Sequence, residues 1–127
     1  MIIDQVPVHL FLDAGTDFSK SFYLTNYDKS PRDISGGVVT ARMAKHPTAI
    51  IAHLTTSEDI VPNFIELDAS VVDGVGGHYS IGLPADKSLP LREGKYVYSV
   101  VMELDGKTEK LMDGLIFVDV AFASFHK

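Results

Sequence analysis

The stretch from Leu91 to Val120, LREGKYVYSVVMELDGKTEKLMDGLIFVDV, constrains the fold most. Tyr96, Tyr98, Val100, Met102 and Leu104 alternate with Val97, Ser99, Val101 and Glu103. A period of two belongs to a strand with one buried face. Asp105-Gly106 follows, and both residues tolerate the positive φ that a two-residue hairpin turn needs. The stretch predicts strand, tight turn, strand, glycine, strand. It belongs to an antiparallel β-domain and holds no apparatus for chemistry.

The same patterning recurs upstream. Val8, Leu10 and Leu12 share one face, with His9 and Phe11 on the other. Phe18, Phe22 and Leu24 point inward, with Lys20 of the same parity at an edge or rim. The polar run TNYDKSPRDISGG, residues 25–37, is a loop, because Pro31 denies a ladder its donor. Ile34 within it is an anchor that plugs one end of the core. Val39, Ala41 and Met43 form the next inner face, and Ile50, Ala52 and Leu54 a returning strand, a second hairpin. Residues 56–59 would cap a helical turn. Ile65 and Leu67, then Tyr79, Ile81 and Leu83, complete the inward set, with a glycine loop at 73–77 between them. A short helical turn fits Ala85 to Ser88, and Leu89 and Leu91 fold onto the core.

Seven to eight short strands and no helix long enough for a crossover predict antiparallel sheets in 127 residues. The expected fold is all-β: one antiparallel β-sandwich domain over 1–127 with immunoglobulin-like topology. A small barrel is the second choice.

Charge and motifs narrow the function. The formal charge is −6, with no basic cluster, so nucleic acid is not an expected partner. No apolar run approaches the roughly 20 residues of a membrane span, and MIIDQVPVHLFLDAG lacks the basic leader of a signal peptide. Without cysteine there is neither a disulfide nor a thiolate metal site. His9, His46, His53, His78 and His126 form no close-spaced ligand motif. Asp13-Ala14-Gly15-Thr16-Asp17 lacks the ligand spacing of a calcium loop and reads as a turn capped by carboxylates. Glu66 and Asp68 share a strand face, as a glycosidase pair could, but no aromatic platform accompanies them. The glycines at 74, 76 and 77 precede a strand and lack the lysine of a phosphate loop. No serine lies in a nucleophile elbow. No enzyme activity, cofactor, metal or small-molecule substrate is expected.

Several short motifs run in order through the chain: A-G-x-x-F-S-x-S-F at Ala14 to Phe22, D-I-S-G-G at Asp33 to Gly37, A-R-M at Ala41 to Met43, L-R-E-G-K-Y-V-Y-S-V at Leu91 to Val100, D-G-K-T at Asp105 to Thr108, and M-D-G-L-I-F-V at Met112 to Val118. Together they resemble small β-sandwich structural proteins of tailed bacteriophages, found in tail, baseplate and neck assemblies or as N-terminal attachment domains of baseplate and fibre proteins. Ser99 departs from the pattern, standing where an Asp often follows the paired tyrosines. The resemblance implies a virion protein assembled in the host cytoplasm, with copies of itself and other virion proteins as partners. It supplies no catalytic residues. Because no fibre domain follows Lys127, a free-standing subunit or adaptor is expected. The interface candidates are Phe11, Tyr23, Tyr27, Phe122 and Phe125, with the C-terminal segment or the first strand docking on a neighbour. The alternative is a small carbohydrate-binding or other ligand-binding module using Tyr23 and Tyr27.

Overall fold

The computed structural model describes residues 7–45 and 64–120. Among these residues seven strands and one short helix follow in chain order: β1 (Leu10–Ala14), β2 (Phe18–Tyr23), β3 (Val38–Lys45), β4 (Ile65–Asp73), β5 (His78–Leu83), α1 (Ala85–Ser88), β6 (Gly94–Leu104) and β7 (Lys107–Val120). The all-β expectation holds. The expected return strand at 49–55, the helical turn at 56–59 and the candidates Phe122 and Phe125 lie outside the described residues.

The strands form one sheet in the order β1-β7-β6-β3-β4-β5-β2. Every pairing is antiparallel except β1 with β7, which is parallel. The purely antiparallel, immunoglobulin-like sandwich is therefore corrected to one mixed sheet. The physical reason is the connection: a parallel pair needs a long crossover, and here the whole intervening sheet supplies it. The sheet curls until it is nearly a barrel. Three strands lie between β5 and β7 in the order, yet the Tyr79 hydroxyl on β5 donates across the core to Met112 Sδ on β7 at 3.0 Å.

The core is the inner face of that curl. Leu12, Ile34, Met43, Ile81, Val100, Met102 and Ile116 are sealed from solvent, with Tyr79, Tyr96 and Tyr98 among them. Ala41 on the central strand β3 is fully buried between Leu67 and Val100 in register. Ile34 plugs one end as expected, its amide bonded to the Gly74 carbonyl. Leu91 packs on the core, whereas Leu89 remains exposed.

The β6–β7 hairpin turns at Asp105-Gly106, whose φ values are +54° and +77°. Positive φ at both central residues suits the twist of the flanking strands. Contrary to the expected break, β7 runs straight through Gly114 as one 14-residue strand. Its register shifts once: Val100 faces Met112 and Val101 faces Lys110, leaving Leu111 unopposed. This bulge turns both Leu111 and Met112 inward, and beyond it the buried positions are the even ones, Ile116 and Val118.

Candidate functional site

β1 is one edge of the sheet, with burial alternating along LFLDA. Leu10, Leu12 and Ala14 enter the core, so His9, Phe11 and Asp13 form the outward row. Parallel register sets Phe11 opposite Phe117 and Asp13 opposite Asp119. The rings of Phe11 and Phe117 stack at 5.4 Å and 22°, and His9 meets Phe117 edge-on at 6.0 Å. Phe11 nevertheless remains 72% exposed. Its stack satisfies one face of the ring and leaves the other in water.

The approach to β1 is fixed by three polar contacts. The Val8 amide donates to the Asp113 carbonyl at 2.9 Å, and the Val8 carbonyl accepts the Tyr98 hydroxyl at 2.7 Å. The Leu115 amide donates to His9 Nδ1 at 3.2 Å, which leaves the proton of a neutral imidazole on Nε2. Burial, with help from nearby Tyr79 and Asp113, pushes the Tyr98 phenol up to about 12. At the far end of β1, buried Ser88 of α1 holds the turn: its hydroxyl accepts the Gly15 amide and donates to the Thr16 carbonyl, both at 2.9 Å. The carboxylate of Asp17 accepts the Ala85 amide at 2.8 Å. The Asp13–Asp17 segment is thus a backbone-capped turn.

The structure separates the other exposed tyrosines. Tyr23, 68% exposed, stacks on His78 across the β2–β5 pair at 4.3 Å and 15°. His78 has a buried Nε2 without a hydrogen-bond partner among the described residues. Tyr27, 99% exposed, tips a turn closed by the Asn26 amide bonding to the Ser30 carbonyl. In that turn the Asp28 carboxyl is held below its ordinary range by the Ser30 hydroxyl and amide. Tyr27 lines a shallow depression with Thr25, Asn26, Lys29 and Arg32, and Tyr23 is absent from that lining. No shared tyrosine groove is built.

Elsewhere two glutamates are engaged by arginines. Glu66 pairs with Arg42 at 2.8 Å on the outer face. Glu109 takes Arg32 in a two-pronged contact at 2.6 and 3.0 Å, and that guanidinium lowers its carboxyl below the usual range. Among the described residues no group of three or more His, Asp or Glu could hold a metal ion, and no helix is long and apolar enough to cross a membrane. Sequence reasoning missed Phe117 as a site residue. Its signal was Ile116-Phe117-Val118, a large apolar residue at the outward position between two buried ones.

No family model matches the chain, and no curated protein matches it. Among solved structures, it is similar to the N-terminal domain of phage TP901-1 ORF48, with a TM-score of 0.46 and 8% identity over 90% of this chain and 85% of that one.

Proposed function

We propose that the chain is a structural protein of a tailed-phage virion, a tail, baseplate or neck subunit acting through protein–protein contacts. Its partners are copies of itself and other virion proteins, and its assembly takes place in the host cytoplasm. No reaction, cofactor or small-molecule substrate is part of the role. The observation that carries the reading is exposed Phe11 on edge strand β1, stacked on half-buried Phe117 of β7. Fully burying a large apolar side chain contributes about 1.5–3 kcal/mol, of which the free face of Phe11 would supply a part, and aromatic anchors dominate protein interfaces. The strand edge beside it, unpaired among the described residues, offers backbone groups for the same partner. The ordered motifs from Ala14 to Val118 supply the phage setting.

The test is made in the phage that encodes the chain. Washed particles should contain it in a fixed copy number. A Phe11→Asp variant that keeps a native melting profile should drop out of particles while its level in lysate is unchanged. Absence of the wild-type chain from purified particles overturns the role. Full incorporation of Phe11→Asp removes the aromatic edge as its contact.

A further inference from the structure

We propose that the free edge of β1 pairs antiparallel with β1 of a second copy, about a twofold axis at Phe11. The inference builds on the reading of the chain as an assembly subunit and names one of its contacts. It starts from the ladder. The Val8 amide bonds to β7, and in a parallel ladder the residues that bond one neighbour alternate. Carried along β1, Leu10, Leu12 and Ala14 turn their backbone groups to β7. His9, Phe11 and Asp13 turn theirs to the side where no strand lies among the described residues.

Those same three residues form the outward row, and their order is self-complementary. An antiparallel twofold at Phe11 sets His9 opposite Asp13 of the partner subunit, Phe11 opposite the partner's Phe11, and Asp13 opposite the partner's His9. The contact is isologous, as closed dimers require. His9 Nε2–H is the free donor of the imidazole, since Nδ1 accepts from Leu115. The partner's Asp13 carboxylate is the matching acceptor. Asp13 also stands beside Asp119 on β7, a like-charged neighbour that an approaching imidazole donor offsets. The Asp13 carbonyl is already taken by Thr16, so the new ladder has four backbone bonds: two between the Phe11 residues and one from each Asp13 amide to a His9 carbonyl. The opposite edge does not invite this. β2 carries Lys20 on its core-facing parity, opposite buried Ile81, and an inward charge deters edge pairing.

The test uses the full chain, its mass measured in solution across concentration, with circular dichroism and melting to verify each variant's fold. The wild type should dimerise. His9→Asp places carboxylates opposite each other twice and should weaken the dimer roughly tenfold or more, since facing like charges are costly. Combining His9→Asp with Asp13→His exchanges the partners and should restore it. The chain has no cysteine, so a single introduced thiol reports register. Phe11→Cys places two Cα atoms about 5.5 Å apart across the twofold, within disulfide reach. Asp13→Cys leaves them roughly 14 Å apart along the strands and should cross-link poorly. A chain monomeric at every concentration, or a dimer indifferent to the charge exchange and to Phe11→Cys oxidation, overturns the proposal. A monomer that still enters particles leaves the assembly role intact, which separates the two failures.

Discussion

Gly106 and Gly114 lie on the same hairpin, both with positive φ, yet they answer different needs. A side chain at Gly106 would meet nothing nearby, so only backbone conformation demands glycine there. Gly106→Ala should cost about 1 kcal/mol. At Gly114 an added Cβ would collide with the Val8 carbonyl oxygen and crowd the rest of that residue's backbone. Gly114→Ala should therefore cost about 3 kcal/mol or more, by strain combined with loss of the Val8 contacts. Urea titrations of the two variants side by side measure the difference, and equal losses would contradict this account. The contrast marks what single residues disclose in sequence. Asp105-Gly106 between two alternating runs is a local signal with a local cause. Gly114 resembles punctuation, because its cause is a carbonyl from the opposite end of the described chain. Phe11, Tyr23 and Tyr27 were legible as exposed from parity and loop composition, and their rings are so.

Strands obey period two until a bulge intervenes, and there sequence reasoning loses track. In β6 the inward set Tyr96, Tyr98, Val100 and Met102 is legible without error, because the strand is regular and central. In β7 the register shift at Leu111 reverses parity mid-strand, so alternation alone splits one strand into two. Edges are easier to recognise. Lys20, placed on the inner parity between Phe18 and Phe22, makes sense only where the sheet ends. Lys20→Val should leave the fold intact but remove the inward charge that guards β2. We expect earlier aggregation on heating, followed by light scattering, with unchanged far-ultraviolet dichroism. An unchanged onset of scattering would show that the edge is protected some other way.

At the scale of the molecule, two buried phenols link distant parts of the sheet. Tyr79 reaches Met112 across the core, and Tyr98 holds the Val8 carbonyl. Burial pushes Tyr79 up to about 12, as it does Tyr98, from the ordinary value of 10.0. A raised folded-state value stabilises the fold below the unfolded-state value. That contribution is lost as pH rises through the folded one. Stability should therefore be insensitive to these groups below about pH 10 and fall between about 10 and 12. Melting temperatures across that window check this, and Tyr79→Phe should flatten the decline. The overall topology was the least legible part. Alternation tells which face of a strand is buried, not which strand lies beside it, so the β1–β7 partnership left no local trace. That partnership also orders events in time. β1 is made before the other described strands, but its only neighbour among them is the last to be made. Until β7 is made, Leu10 and Leu12 lack the strand that pairs with theirs, and the final closure spans from Leu10 to Val120. Such remote pairing slows folding, because the entropy of a long loop is lost before any contact repays it. The clock for maturation of the molecule is therefore set at the ribosome's exit, by the arrival of β7.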